Sequence, residues 1–252
     1  MMNWLRKTLV KFSNTPLHPQ WFALKRERQD LAAYCGKLTG LVLDVGCASG
    51  KPRDHLGADA TYVGLDYYHT AKGWYGTRPE LFGDARRLPL REASVNHILL
   101  LDVLEHVSHP ERCLSELHRC LAPDGTLTIW VPFMYPVHDA PLDFHRWTSH
   151  GLNEAAKKHR FEVISNRSCG HPLETAALLT NIAMTKTVLN WAGGRNPLCL
   201  LGFLLPVLIP VINLSSWVLS KLARADEMMP YAYQTVWKKP AGAPPPEQSD
   251  VI

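Results

Sequence analysis

The stretch LVLDVGCASG, Leu41–Gly50, decides the fold. Apolar residues run into Asp44, and the small residues Gly46, Ala48 and Gly50 then follow at alternate positions. A buried strand ending in such a run makes a tight turn with bare backbone, so a ligand can lie against the main chain. Three more apolar segments, TYVGLD, VNHILLLD and GTLTIWVP, follow it with helical stretches between them. Such continuous runs mark strands buried on both faces, and their alternation with helices predicts a parallel sheet covered by helices. FEVIS and YQTVWKKP add a sixth and a seventh strand.

TYVGLD ends in Asp66, 22 residues after Asp44. That is close to the roughly 20-residue offset at which an acid meets a ribose hydroxyl in nucleotide-binding folds. Turn and acid together point to an adenosine-containing cofactor. A dinucleotide fingerprint would read GxGxxG, but Gly46, Ala48 and Gly50 read GxAxG and follow an acid that would repel a pyrophosphate. Asp44 instead suits a cationic ligand group such as an ammonium.

On these residues the chain resembles the class I S-adenosylmethionine-dependent methyltransferases, in the small-molecule branch that includes quinone-biosynthesis enzymes. DVGCASG is similar to the family's first motif, with Ala48 in place of the middle glycine, and VGLD to its second. GDARRLP, Gly83–Pro89, is similar to the third. SVNHILLLDVLEHVSHPERCLSELHRCLAPDGTLTIWVP resembles the fourth strand, the helix after it and the fifth strand. Asn96 stands where an acid is common and Asp124 where a glycine is common. The resemblance spans roughly residues 18–168 and 231–240. It implies a Rossmann-like α/β fold with a seven-stranded, mostly parallel sheet and helices on both faces. It also implies S-adenosylmethionine as cofactor, held around Asp44, Gly46, Ala48, Gly50, Asp66, Tyr67, Asp84, Ala85 and Leu101. Asp66 would meet the ribose, and Asp84 and Ala85 the adenine.

Acceptor chemistry belongs beyond the carboxyl ends of the strands. There the segment VPFMYPVHDAPLDFHRWTSHGL gathers His138, Asp139, Asp143, His145 and Arg146. Its H-x-x-P-x-D-F-x-R-W-T pattern is similar to one in methyltransferases of bacterial surface-polysaccharide pathways. That resemblance makes His138 the first candidate for a base, His145 the second, and Arg146 an anchor for an acidic group such as phosphate. The same residues have structural readings: Thr148 or Ser149 as a helix cap, and Asp143 or Arg146 as ties between loop and sheet. His106 and His109 have a spacing that suggests metal ligands, but no further ligand set accompanies them, so no metal is expected.

Pro197–Ser220 carries no charge and is flanked by Arg195 and Lys221. Its length reaches a membrane span, yet Pro206 and Pro210 divide it and Gly202 loosens its first part. The chain must also return to the sheet for its last strand, so a re-entrant or interfacial hairpin is expected, with a lid or dimer interface as the alternative. PLETAALLTNIAMTKTVLNW supplies a further apolar helix, and residues 3–12 read as a basic amphipathic helix. The expected organisation is capping helices over 1–36, the methyltransferase domain over 37–170 and 229–240, an apolar insertion over 171–228 and a disordered tail over 241–252.

The 252 residues include 27 Lys and Arg against 23 Asp and Glu, a mild net charge of +4 without a basic stripe, so no nucleic-acid partner is expected. Six cysteines form no CxxC pair, and no signal-peptide core opens the chain. A cytoplasmic location at the inner face of the cell membrane follows as an expectation. The expected acceptor is a hydroxyl of a lipid-linked saccharide or similar amphiphile. A soluble enzyme with an apolar lid, a non-catalytic cofactor-binding scaffold and an oxidoreductase are the rivals. The oligomeric state is not legible.

Overall fold

The computed structural model describes residues 11–224 and 226–242. Nearly all of the amphipathic helix expected over 3–12, and the expected tail beyond Gly242, lie outside the described residues. The chain forms two compact units. One draws on the chain up to Asp30, on Met134–Pro136 and on Cys169–Tyr231; the other comprises Leu31–Phe133, Val137–Ser168 and the chain from Ala232 onward.

The second unit is built on seven strands: β1 (Gly40–Val45), β2 (Ala60–Asp66), β3 (Leu81–Phe82), β4 (Val95–Leu101), β5 (Leu121–Pro132), β6 (Glu162–Cys169) and β7 (Ala232–Lys238). Their order is β3-β2-β1-β4-β5-β7-β6. Pairing is parallel from β3 through β5, and β7 runs antiparallel to β5 with Thr126 opposite Lys238 and Pro132 opposite Ala232. The seven-stranded, mostly parallel Rossmann-like sheet is therefore present, with one strand, the two-residue β3, too short to read from an apolar run.

The central strands are buried on both faces because their side chains alternate between two helical layers. Leu43, Val45, Ile98 and Leu100 pack with Cys113, Leu114 and Leu117 of α2 (Pro110–Cys120) and with Leu152 and Ala156 of α3 (Ser149–Lys158). Val42 and Leu99 point the other way, onto Leu31 and Cys35 in the last turns of α1 (Trp21–Cys35). Each fully buried Leu or Ile contributes about 1.5–3 kcal/mol. Asn96 accepts the Leu41 amide at 2.8 Å and so fastens the entry to β1. Asp124 takes a left-handed φ of 61°. The buried Lys239 ammonium donates to the carbonyls of His118 and Leu121, at 2.9 and 2.8 Å, satisfying the carboxyl end of α2. Thr148 is the residue that caps α3, accepting the Gly151 amide at 3.0 Å.

The other unit is helical. α4 (Pro172–Gly193) starts with a capping box from His171 and Glu174. Pro197–Leu204 is a 3₁₀ segment that leads into α5 (Leu205–Leu222). The two prolines do not split this run as expected. Pro206 lies in the first turn of α5, where an amide needs no partner, and Pro210 sits inside the continuous helix. Gly202 is a close-approach residue rather than a loosening one, since a Cβ there would fall 2.7 Å from Val188 Cγ1 of α4. Asn181 and Asn213 are fully buried between apolar helices. Asn181 Nδ2 donates to Asn213 Oδ1 at 2.9 Å, and Asn213 Nδ2 donates to the carbonyls of Pro16 at 2.7 Å and His18 at 3.2 Å.

Asn213→Ala would strand those two carbonyls and the Asn181 amide, so denaturant unfolding should show a loss of about 1–3 kcal/mol per group left unpaired. An unchanged midpoint would mean that water replaces the amide.

Candidate active site

The turn after β1 is held from β2. Gly46 and Cys47 amides both donate to the Leu65 carbonyl, at 2.7 and 3.1 Å, and the Gly50 amide closes onto Cys47 at 2.7 Å. Gly46, Ala48 and Gly50 take φ of 74°, 46° and 70°. A Cβ on Gly46 would fall 2.4 Å from Val103 Cγ2, so only glycine fits there. Ala48 accepts a left-handed backbone at a cost of about 1–2 kcal/mol.

Asp66 is the clamp. Its Oδ2 accepts the Ala48 amide at 2.9 Å, and its Oδ1 accepts the Tyr67 amide and the Thr70 hydroxyl, each at 2.7 Å. Two carboxylate oxygens offer about four lone-pair sites, so acceptor capacity remains toward a ligand hydroxyl. Asp44, by contrast, does not line the cavity beside this turn. Its buried carboxylate lies among the strands and accepts the Tyr62 hydroxyl at 2.7 Å. Burial pushes its pKa up to about 6, partly offset by that hydrogen bond.

A cavity of about 280 Å³ opens where β1 has β2 on one side and β4 on the other, the switch point of the sheet. Gly46, Asp66, Tyr67, Asp84 and Ala85 line it, as the first three motifs imply. Ala48 and Gly50 shape the turn without lining the cavity, and Leu101 packs on the opposite face of the sheet with Val42 and Leu99. Asp84 is paired with Arg86, whose Nη2 lies 2.6 Å from Oδ2. That guanidinium holds the Asp84 pKa below the usual carboxylate range. The motif reading missed the aromatic wall of Trp74, Tyr75 and Phe144 along with Asp102, while Asp139, noted in the acceptor-side segment, and His106, weighed only as a metal ligand, also line the cavity. Trp74 and Tyr75 sit in a π-helical turn, Ala71–Tyr75, whose only sequence sign is two adjacent aromatics between glycines.

The loop after β5 is pinned to the 3₁₀ turn Leu104–His106. The Glu105 carbonyl accepts the amides of Phe144 at 2.9 Å and His145 at 3.2 Å. His138 stands behind His106, their rings 4.9 Å apart and nearly perpendicular, and does not itself line the cavity. Arg146 makes a bidentate pair with Asp143, at 2.6 and 2.7 Å, so it ties the loop together instead of anchoring an anion. His145 packs on Trp147 away from the cavity. His109 stands just before α2 with its Nδ1 2.9 Å from the Ser108 hydroxyl, and it is not among the groups that converge on His106. The Glu105 carboxylate is fully buried, and neither oxygen has a hydrogen-bond partner.

Residues 43–129 match the family described as Methyltransferase domain. A Mycolicibacterium smegmatis protein classed as an S-adenosylmethionine-dependent methyltransferase is 33% identical over 48% of this chain and 52% of its own length. Over these residues the chain is similar to S-adenosylmethionine-dependent methyltransferases. A sterol 24-C-methyltransferase of Gibberella zeae is 27% identical over 46% of this chain and 34% of its own. The chain thus spans about half the length of the first of these relatives and a third of the second. Among solved structures, a methyltransferase candidate from Bacillus halodurans C-125 superposes with a TM-score of 0.53 at 14% identity, covering 86% of this chain and 100% of that one. The [4+2]-cyclase SpnF superposes at 0.55 with 17% identity, covering 87% and 82%. Shared architecture at such identities shows the fold and leaves the reaction to the site. The matched stretch runs from inside β1 into β5, so it contains the clamp and most of the cavity wall.

The raised Asp44 pKa has a signed consequence. The unfolded chain loses this proton near pH 3.8 and the folded chain near 6, so the folded state keeps a proton that the unfolded state has lost, and stability falls as pH rises through that window. Asp44→Asn should be more stable than the parent at pH 7 by up to about 3 kcal/mol, with the difference vanishing below about pH 4. Thermal melts of both proteins across pH check this, and a constant difference would place the cause elsewhere.

Proposed function

We propose that the protein transfers a methyl group from S-adenosylmethionine to a hydroxyl of an amphiphilic acceptor, a lipid-linked saccharide or a similar molecule, at the cytosolic face of a membrane. The observation that carries the cofactor assignment is the clamped left-handed turn opening into the cavity. Gly46 gives the close approach, Asp66 has acceptor sites for ribose hydroxyls, and Tyr67, Asp84 and Ala85 form the far wall. When bound, the cofactor supplies a methyl group already activated on a sulfonium. The chain's work is then to position the acceptor and handle its proton. Trp74, Tyr75, Leu142 and Phe144 give the cavity an apolar lining against which an acceptor can pack, and His106 and Asp139 add polar groups near which the acceptor hydroxyl would lie. Positioning of this kind supplies about 7–11 kcal/mol in the best intramolecular cases. Burial lowers the His106 pKa, which keeps the imidazole neutral near pH 7.

The membrane half of the reading rests on the helical unit. Pro197–Leu222 is long and apolar enough to cross a membrane, and only 11% of its most apolar window is buried. Leu200 is 72% exposed, Phe203 73% and Leu222 79%, an apolar surface larger than isolated exposed residues would make. Arg195, Lys221 and Arg224 flank the run, with the charge that anionic headgroups attract. An enzyme bound in this way has access to acceptors that carry a lipid tail.

Three measurements test the proposal. Calorimetric titration with S-adenosylhomocysteine should give micromolar binding, and Asp66→Ala, which removes the acceptor for three donors at the turn, should weaken it by about 100-fold or more. Labelled methyl groups from S-adenosylmethionine should enter the lipid fraction of a membrane extract and not the aqueous one. The protein should sediment with anionic vesicles, and replacing Leu200, Phe203 and Val207 with serine should release it. Aqueous products together with no vesicle binding would leave a soluble small-molecule methyltransferase.

A further inference from the structure

We propose that Glu105, His106 and His138 form a binding site for a divalent transition-metal ion at the edge of the cofactor cavity. The three residues each offer one ligand atom, and all of these atoms lie within 4.8 Å of one another. Glu105 Oε1 is 3.6 Å from His106 Nε2 and 3.9 Å from His138 Nε2. A tetrahedral ion with ligands at about 2.0–2.1 Å separates them by roughly 3.3 Å, so the two distances from Glu105 are within about 0.6 Å of that spacing and the two imidazoles draw together on binding.

Two independent features point to an ion. The first is the Glu105 carboxylate, fully buried and with both oxygens lacking hydrogen-bond partners. Buried carboxylates are paired or bind metal, because the desolvation is otherwise uncompensated. The second is how the imidazoles are held. His106 Nδ1 lies 2.8 Å from the Leu142 carbonyl, which accepts only from a protonated nitrogen. That leaves the lone pair on Nε2, the atom turned toward Glu105. His138 Nδ1 lies 3.4 Å from Asp143 Oδ2, and Asp143 is itself fixed by Arg146 and by the His138 amide at 2.9 Å. Both rings turn Nε2 toward the carboxylate; the opposite nitrogen of His106 is hydrogen-bonded to a carbonyl and that of His138 has the Asp143 carboxylate nearby, an arrangement that resembles metal-bound histidines. Asp143 and Arg146, read from the sequence as loop ties or as an anion anchor, become the support for one ligand.

Two nitrogens and one carboxylate favour Zn²⁺, Mn²⁺, Co²⁺ or Fe²⁺ over Ca²⁺ or Mg²⁺. Three protein ligands also leave positions open. His106 lines the cavity, so those positions are accessible to an oxygen of a molecule bound there. Only this last statement rests on the methyl-transfer reading; ion binding does not. With an ion present, the two histidines would act on an acceptor hydroxyl through the metal, which lowers the hydroxyl's pKa, and not as free bases. This reverses the expectation of no metal, which considered His106 with His109 and had no means of placing His138 beside them.

The test uses the full chain, stripped with chelator and titrated separately with Zn²⁺, Mn²⁺ and Co²⁺. At least one ion should bind one per chain with micromolar or tighter affinity. Glu105→Gln and His138→Gln should weaken binding by about 100-fold or more, and Asp143→Asn by about 10-fold. Circular dichroism checks that the variants fold. If they do not, X-ray absorption of the zinc-loaded parent protein decides: imidazole and oxygen ligands without sulfur support the site, and sulfur ligands overturn it. Absence of stoichiometric binding by the folded parent, or affinity untouched by the substitutions, also overturns it. S-adenosylhomocysteine titration of the same preparations keeps the two readings apart, since cofactor binding without metal binding defeats only this site, and metal binding without cofactor binding defeats only the methyl-transfer reading.

Discussion

The hydrogen bond from the Ala48 amide to the Asp66 carboxylate is the interaction on which the rest of the site depends. It joins the turn after β1 to the end of β2 and holds a left-handed alanine in place. The same carboxylate orders Tyr67 and Thr70, from which the aromatic wall begins. A charged acceptor serving two backbone amides and a hydroxyl in a buried position is worth more than any surface ion pair here, because its partners would otherwise be stranded. The cavity is a consequence of that clamp and of the strand order, which turns back at β1 and leaves a crevice between β2 and β4.

A second junction does for the loop after β5 what Asp66 does for the turn after β1. The Glu105 carbonyl receives two successive amides of the loop after β5, and this brings His138, Asp143 and Arg146 against the turn after β4. The carbonyl of Glu105 is thus fully used while neither oxygen of its carboxylate has a hydrogen-bond partner. A residue whose backbone organises a loop and whose carboxylate remains unsatisfied is more readily explained by a ligand than by packing. The helical unit has a comparable contrast. Its buried Asn181–Asn213 pair is tied through Asn213 to the carbonyls of Pro16 and His18, while much of the apolar surface of Pro197–Leu222 faces outward.

Much of this was legible in the chain, and unevenly so. The strands β1, β2, β4 and β5 announce themselves because they are buried on both faces and therefore read as apolar runs. β3 was not legible, since two residues carry no period. A cap at Thr148 or Ser149 and the helix α4 followed from local chemistry, with the structure selecting Thr148, whereas the effect of Pro206 and Pro210 was misjudged, because whether a proline breaks a helix depends on where the helix starts. Asp44 shows the limit of residue-type reasoning: an acid beside a glycine-rich turn suggests a cationic ligand, but strand alternation puts its side chain on the same sheet face as Val42, where it accepts the Tyr62 hydroxyl.

By itself the sequence determined the fold class, the nucleotide-type turn and the acid that clamps it. These depend on periodicity and on residues close together along the chain, where backbone geometry leaves few choices. Only the tertiary structure decided which motif residues line the cavity, that Arg146 is committed to Asp143, and that His138 meets Glu105 and His106 while His109 does not. Those facts are set by how one loop folds back on another. Such long-range closure is governed by a few hydrogen bonds to main-chain atoms, which every residue possesses and which residue identity therefore does not reveal.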